Sequence, residues 1–229
     1  MNSFINGMFQ LNNVEQLTGY IVAVVLITSI LMTGCRRMET MVRLFVFQSL
    51  GLGLITLLIG TITHSSNTYF VGGLTIFGKC FVIPWILMFV LQKIQVKREV
   101  ETYVSLPTSM LLVCVLTAVT FELVNNIGIA DTVEVLSPDL LCTAISTMLI
   151  GLFIMMTRKK AFAQIMGLYV VENGILALTL DTIFEMPLVV EMGIFLDLLI
   201  GVLVMGVWIY RIKQSFDTIN VEQLRKLKG

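Results

Sequence analysis

The sequence predicts an all-α, multi-pass membrane protein with seven transmembrane helices, its N-terminus outside the cell and its C-terminus in the cytoplasm. Of the 229 residues, 57% are hydrophobic and only 13% are charged, whereas charge approaches a quarter in soluble globular domains. The mean hydropathy is +0.93. Seven apolar runs each have about the 20 residues that a helix needs to cross the hydrocarbon core. Lipid is therefore the expected solvent of this chain.

The apolar runs set the expected helix bounds. They cover roughly residues 14–33, 41–63, 69–92, 105–127, 136–156, 161–184 and 187–210. Because the connectors are short, we expect consecutive helices to be antiparallel neighbours in one bundle. The stretch before the first run has no positive charge, and no small-residue cleavage site follows the run, so we expect the first helix to be retained rather than removed as a signal peptide.

Basic residues predict the orientation, because they mark cytoplasmic loops. They gather after the first, third, fifth and seventh runs, and the connectors in between carry no Lys or Arg. The basic residues at these junctions are Arg36, Arg37, Arg43, Lys93, Lys97, Arg98, Arg158, Lys159, Lys160, Arg211, Lys213, Arg225, Lys226 and Lys228. The exception is Lys79, which lies inside the third run.

Several classes of chemistry lack support in the sequence. The four cysteines lie in or beside separate runs without the close pairing of a zinc or iron–sulfur site, and we interpret them as small packing residues. There is no phosphate-binding glycine loop and no nucleophile elbow. The formal net charge is zero and no large basic patch is present, which argues against nucleic-acid binding. We therefore expect no bound cofactor and no metal.

Three ionisable residues fall near the middle of predicted helices. At 1.5 Å per residue, Glu172 lies about 18 Å from Lys160 along its helix, and Asp197 and Lys79 each lie about 21 Å from the nearest basic junction. An ionised side chain at such depth costs roughly 2.5–3.5 kcal/mol. Such residues usually face the bundle interior, pair with another group and mark an ion or proton path.

The candidate proton-relay residues are therefore Glu172, Asp197, Lys79 and Glu122. Glu122 is a weaker candidate, because it lies three residues before the polar "NN" that ends the fourth run and can reach the outer interface instead. A purely structural alternative applies to Glu172 and Asp197: each carboxyl group could hydrogen-bond a neighbouring helix and have no role in transport.

Other patterns bear on packing and symmetry. Placing Gln48 over Glu172 also aligns basic loops, which suggests a parallel duplication of a three-helix unit, although apolar helices resemble one another by composition alone. Pro84 is expected to kink the third helix beyond Lys79. Glycines in three runs are expected to allow close helix approach: Gly51, Gly53, Gly72, Gly73, Gly78, Gly201 and Gly206.

The last ninety or so residues resemble a known family. The segments "RKKAFAQIMGLYVVENG", "FLDLLIGVLVMGVWIYRIK" and "INVEQLRKLKG" are similar to the three-helix K-type subunit of respiratory complex I, and the longer form with extra N-terminal helices resembles hydrogenase-4 component E. The resemblance implies a four-helix region over residues 1–130, followed by a K-type-like three-helix region with a cytoplasmic tail over residues 131–229.

The resemblance also implies roles for two carboxyl groups. In the K-type family, two membrane carboxyls on consecutive helices carry protons laterally. Asp197, followed by "LLIG", matches the second of them. The first normally follows Gly-Leu directly, where this chain has Tyr169, and Glu172 comes one helical turn later on the same face. The relay could persist with altered spacing.

Taken together, these patterns favour a non-catalytic proton-translocating subunit of a group 4 nickel–iron hydrogenase or formate hydrogenlyase-like assembly in a prokaryotic inner membrane. The resemblance implies antiporter-like membrane subunits as direct partners, with nickel–iron and iron–sulfur subunits further away. Two alternatives are a stand-alone carrier or channel for a small ion or solute, and a scaffold that anchors a peripheral enzyme.

Overall fold

The computed structural model describes residues 2–63, 66–93, 100–127 and 138–182, together with residues 193, 200 and 201. These parts of the chain are helical and contain no strand beyond an isolated bridge between Thr102 and Arg158. The elements are α1 (Asn2–Thr33), α2 (Met38–Thr63), α3 (Ser66–Thr75), a π-helix (Ile76–Val82), α4 (Ile83–Lys93), α5 (Leu106–Ile127), α6 (Pro138–Thr157) and α7 (Ala161–Thr182).

Six helical stretches are long and apolar enough to cross a membrane: Gln16–Thr33, Met38–Thr61, Thr68–Phe89, Leu106–Asn126, Pro138–Thr157 and Ala161–Leu180. They agree with the first six predicted runs to within a few residues and confirm a helical multi-pass architecture. The seventh predicted run, 187–210, lies outside the described residues except for three positions. The direction in which the helices cross the membrane stays a prediction.

The third crossing stretch changes its helical pitch midway. It consists of α3, the seven-residue π-helix Ile76–Val82 and α4, and the backbone N–H of Ile83 donates to the carbonyl of Gly78, five residues earlier. Pro84 follows directly. Proline has no N–H, and in a regular α-helix its ring would clash with a carbonyl of the preceding turn. The wider π-turn precedes the proline where the sequence predicted a kink, and it carries Lys79.

The α6–α7 pair packs most closely, because glycines let the two backbones touch. A Cβ atom added at Gly151 would lie 2.6 Å from the backbone nitrogen of Val171, and one added at Gly167 would lie 2.8 Å from the carbonyl oxygen of Gly151. At Gly174 an added Cβ would lie 2.8 Å from the nitrogen of Met148. The sequence analysis did not single out these three glycines.

The glycines that the sequence did single out divide into two groups. An added Cβ would contact a neighbouring helix at Gly51, and would collide with Ile76 at Gly53 and with Leu57 at Gly72. The expectation was wrong for three others, because an added Cβ would meet open space at Gly73, Gly78 and Gly201. Helices that are apolar on every side do not reveal in their sequence which face meets a neighbour. Gly206 lies outside the described residues.

A polar layer separates the two largest apolar clusters of the described bundle. The first cluster includes Met32, Met41, Phe45, Ile150, Ile154 and Met166, and the second includes Val22, Val25, Leu52, Ile55, Leu140, Ala144 and Ala177. Along α1, α2 and α7, buried polar residues lie between the two clusters: Ser29, Gln48, Ser49, Glu172 and Asn173. Thr147 on α6, also buried, falls in the same interval. This polar layer contains the candidate site.

The α1–α2 turn and the α6–α7 turn, which both carry basic residues, meet at one end of the bundle. Residues 100–105 cross this end: the N–H of Val100 donates to the carbonyl of Arg36 at 2.8 Å, and that of Tyr103 donates to the carbonyl of Thr157 at 3.0 Å. Lys160 pairs with Glu101 at 3.3 Å. The connector therefore ties the α1–α2 turn to the α6–α7 turn.

Arg158 differs from the other basic residues at this end, because it is fully buried. Its guanidinium group donates to the carbonyl of Thr33. Burial lowers the pKa of Arg158, and the neighbouring Cys35 opposes this effect. Burial likewise raises the pKa of the Cys35 thiol, with a smaller opposing effect from Arg158. Arg158 therefore belongs to the packed junction rather than to the solvated basic surface that the sequence suggested.

Candidate functional site

The structure pairs two of the predicted relay residues. Lys79 comes from the π-helix and Glu172 from α7, and Lys79 Nζ lies 3.1 Å from Glu172 Oε1. Their side chains are 8% and 5% exposed. Both groups thus lie in the bundle interior, inside the stretches that are long and apolar enough to cross a membrane. An ion pair in this position joins the third and sixth crossing helices.

Asn173, the residue after Glu172, extends the pair into a hydrogen-bonded chain. Lys79 Nζ donates to Asn173 Oδ1 at 3.1 Å. Asn173 Nδ2 then donates to Gln48 Oε1 at 3.0 Å and to Ser49 Oγ at 3.1 Å, both on α2. The side-chain amide of Asn173 therefore uses its oxygen and both of its donor hydrogens, and it links three helical elements.

The chain continues from α2 to α1. Gln48 Nε2 donates to Ser29 Oγ at 2.6 Å, and Ser29 Oγ donates to the carbonyl of Val25 at 2.7 Å. Each group thus donates in the direction that leads away from Lys79, and the chain ends on a backbone carbonyl. An ammonium group can only donate, so its presence fixes which end of each amide faces which neighbour.

The direction of these bonds suits the ammonium group of Lys79, which can only donate. Hydrogen bonds in a chain polarise one another, and here every acceptor dipole has its negative end toward the ammonium group. A buried ion pair offsets the cost of desolvation only when further hydrogen bonds satisfy its partners. Asn173, held by Gln48 and Ser49, supplies one such bond. The site is therefore a buried charge pair supported by neutral amides and hydroxyls.

The seventh predicted run approaches Glu172 at one described position. A Cβ atom added at Gly193 would lie 3.8 Å from Glu172 Oε1. Ile200 is buried in the first apolar cluster. Asp197, the second predicted relay carboxyl, lies outside the described residues.

Glu122 is not brought to this site. It lies on α5 with an exposed side chain, and its Oε1 accepts a hydrogen bond from Asn126 Nδ2 at 2.8 Å. Tyr169, which occupies the place of the K-type family's first carboxyl, is buried, and its ring centroid lies 5.2 Å from that of Phe45. Glu172 is therefore the carboxyl of α7 that reaches the ion pair.

Sequence reasoning missed three residues of the site: Ser29, Ser49 and Asn173. It noted Gln48 only through the suggested repeat. The signal was present, because each of these polar residues interrupts an apolar run. Neutral polar side chains are, however, far cheaper to bury in lipid than charged ones, so the sequence does not distinguish a polar residue in a network from one that bonds its own helix.

No group of three His, Cys, Asp or Glu residues that could hold a metal ion occurs within the described ranges. The four cysteines are free thiols and range from buried Cys142 to exposed Cys114. The polar layer of the described chain therefore offers carboxylate, amide, hydroxyl and ammonium groups for its chemistry.

Comparison with known proteins places the chain in a family. It is 30% identical over 207 residues to the uncharacterized protein Rv0085 of Mycobacterium tuberculosis, covering 88% of this chain and 91% of that protein. The chain belongs to the family of this mycobacterial protein. No family model matches the chain, and no solved structure matches it.

A shorter similarity relates part of this chain to a subunit of another protein complex. The chain is 30% identical over 89 residues to hydrogenase-4 component E of Escherichia coli K12, and equally to that of Shigella flexneri. This match covers 39% of the present chain and 41% of each component E. The similarity supports a relationship to a membrane subunit over part of the chain.

Proposed function

We propose that this protein is a non-catalytic, proton-conducting membrane subunit of a hydrogenase-4-like, complex I-related assembly. The observation that carries the proposal is the buried pair between Lys79 and Glu172, 3.1 Å apart within the bundle. Two ionisable groups in a membrane interior are costly to retain. A partial similarity to hydrogenase-4 component E supports the type of assembly.

The pair can hold and release a proton. When Glu172 is ionised, the ammonium group of Lys79 balances its charge. When a proton arrives, it forms an O–H bond with a carboxylate oxygen, and the attraction to Lys79 is lost. The carboxylate of Glu172 is therefore the group of the pair at which a proton binds and leaves.

Asp197 is the proposed second carrier. The approach of Gly193 to Glu172 Oε1 supports this assignment, because Gly193 precedes Asp197 by four residues in the sequence. The amide chain through Asn173 and Gln48 is an unsuitable route for protons, since it ends on a backbone carbonyl. Protons therefore pass between Glu172 and Asp197, and the amides stabilise the cation.

The same proposal covers the setting of the protein. In this proposal the chain crosses a prokaryotic inner membrane seven times, with the N-terminus outside and the C-terminus in the cytoplasm. Residues 1–130 form the four-helix region and residues 131–229 the K-type-like region. Antiporter-like subunits are the direct membrane partners, while nickel–iron and iron–sulfur subunits carry out the redox chemistry.

Carboxyl variants test this function in vesicles that contain the whole assembly. The double variant Glu172→Gln, Asp197→Asn is expected to lose proton translocation in the assemblies that form, because a side-chain amide cannot carry the proton. The measurement is acidification of the vesicle lumen, followed with a pH-sensitive dye. Pumping at the wild-type level in the double variant would rule out the relay.

Two further variants locate the effect. Asp139→Asn removes an exposed carboxyl at the start of α6 and is expected to leave pumping unchanged. Glu122→Gln tests the remaining candidate, and a loss of pumping there would add the exposed carboxyl on α5 to the path.

Purification of the tagged chain identifies the assembly: co-purification of large membrane subunits supports it, whereas a homogeneous, transport-active homo-oligomer contradicts it.

A further inference from the structure

We infer that the ammonium group of Lys79 is a built-in monovalent cation that occupies an oxygen-lined position between Glu172 and Asn173 and makes this site selective for protons over sodium. The inference rests on the proposed proton-conducting function and adds which ion the site accepts. It makes Lys79 a specificity-determining residue rather than a third proton carrier.

Oxygen atoms of two different chemical types surround the ammonium group. Lys79 Nζ lies 3.1 Å from the carboxylate Oε1 of Glu172 and 3.1 Å from the amide Oδ1 of Asn173. Carboxylate and amide oxygens are the ligands that hard cations prefer in proteins. The position of the ammonium nitrogen is therefore one that a free sodium or ammonium ion could occupy if the lysine were absent.

The amide oxygen is fixed in place independently of Lys79. Asn173 Nδ2 donates to Gln48 Oε1 and to Ser49 Oγ, so rotation of the amide would place its oxygen against the side-chain carbonyl oxygen of Gln48, which can only accept. Gln48 is oriented in turn by its bond to Ser29 Oγ. Removal of the lysine side chain is therefore expected to leave Asn173 Oδ1 facing the vacated position.

The buried charges that the structure describes at this position are one cation and one anion. Within the described part of the chain, the buried charged residues are Lys79, Glu172 and Arg158. Arg158 lies at the end of the bundle, where its guanidinium donates to the Thr33 carbonyl. One ammonium group thus faces one carboxylate in the polar layer. A sodium ion entering beside Lys79 would be repelled at close range in a medium of low polarity.

A proton can bind at Glu172 while the ammonium group of Lys79 stays in place, whereas a sodium ion cannot. The proton binds covalently to the carboxylate and removes its negative charge, so no second cation needs to fit beside the ammonium group. Lys79 keeps its hydrogen bond to Asn173 when the carboxylate gains a proton. The selectivity therefore follows from a cation that is tethered to the chain and cannot exchange with the solution.

The variant Lys79→Met tests the inference on the full chain in lipid nanodiscs at fixed pH. Methionine has a similar length but no charge, so Glu172 loses its cation. The reference is N-methyl-glucamine chloride at equal ionic strength. Relative to it, sodium chloride or ammonium chloride is expected to raise the melting temperature of this variant by about 5 °C, and the rise is expected to saturate with salt concentration. The wild-type chain is expected to show no difference between these salts.

A matched control removes the carboxylate as well. The double variant Lys79→Met, Glu172→Gln keeps the neutral cavity and the Asn173 oxygen but lacks the negative charge, and its melting temperature is expected to be the same in all three salts. Lys79→Met without a response to sodium or ammonium would overturn the inference. An equal response in the double variant would overturn it too, because the effect would then not arise at this site.

A measurement on the unaltered chain applies even if Lys79→Met does not fold. Binding of radioactive sodium to wild-type nanodiscs is expected to be no greater than to the Glu172→Gln variant. If wild-type nanodiscs bind more sodium than nanodiscs with the Glu172→Gln variant, Lys79 does not exclude sodium and the inference is wrong. Because these measurements do not involve pumping, they separate the failure of this inference from the failure of the proposed function, which the vesicle assay decides.

Discussion

Lys79 and Glu172 form a buried ion pair between the third and sixth crossing helices, with 3.1 Å between Nζ and Oε1. The pair lies in a polar layer between two apolar clusters, and Asn173 connects it to α2 and α1. The same contact is therefore a structural link between helices and the proposed proton-binding site. These two aspects can be separated by experiment.

Breaking the pair on one side is expected to destabilise the fold. Lys79→Met or Glu172→Gln alone leaves one buried group without its partner, which costs about 3 kcal/mol. The double variant Lys79→Met, Glu172→Gln should lose less than the sum of the two, because no unpaired charge remains. Reversible unfolding in a detergent gradient measures these differences. Additive losses would show that the groups do not interact.

A second ion pair provides the control for this cycle. Lys160 and Glu101 lie 3.3 Å apart at the end of the bundle, where the Glu101 side chain is 56% exposed. Water screens such a pair, so Lys160→Met is expected to cost less than about 1 kcal/mol. A loss comparable to that of Lys79→Met would mean that burial is not the source of the effect.

Asn173 is expected to be more important for stability than a typical polar residue in a helix. Asn173→Leu leaves Gln48 Oε1 and Ser49 Oγ without their donor and removes an acceptor from Lys79, with an expected loss of about 2–3 kcal/mol. Thr179→Val on the same helix is the control, because the Thr179 hydroxyl donates to the carbonyl of Ile175 within its own helix. Equal stabilities of the two variants would argue against the network.

The glycine contact between α6 and α7 predicts a strong position dependence. Gly151→Ala places a methyl group against the backbone of α7 and is expected to cost about 2–3 kcal/mol. Gly73→Ala meets open space and gains helix propensity, so no loss is expected. The free energy of unfolding in detergent distinguishes them. A Gly73→Ala loss as large as that of Gly151→Ala would contradict the described packing.

Cys35 offers a pH-dependent test of the junction at the basic end of the bundle. Burial raises the pKa of its thiol, and Arg158 partly offsets this rise. The native state therefore holds this proton more tightly than the unfolded chain, so stability should fall as the pH rises above the ordinary thiol value. Maleimide labelling of a variant with Cys35 as its single cysteine is expected to be slow and to require a higher pH than an ordinary thiol.

Arg158→Gln provides the comparison for Cys35. Loss of the guanidinium charge removes the effect that lowers the pKa of Cys35, so the labelling profile should move to still higher pH. The same chain denatured in detergent should label with an ordinary profile. Labelling of the native thiol at or below the ordinary pH would show that burial does not outweigh the effect of Arg158 on the pKa of Cys35.

The sequence by itself determined the solvent of this protein and the approximate bounds of six crossing helices. These properties depend on local composition, because about 20 apolar residues in a row suffice to specify a span. The depth of Glu172 and Lys79 also followed from counting residues along a helix. The sequence further indicated that such groups require partners.

Only the tertiary structure decided which partners they have. Lys79 and Asn173 are 94 residues apart in the chain, and helices that are apolar on every side carry no signal for the face that meets a neighbour. The tight glycines of α6 and α7, the π-turn that carries Lys79 and the burial of Arg158 depend in the same way on packing between helices. Proximity across a bundle is set by the sum of many such contacts, and no local stretch of sequence contains it.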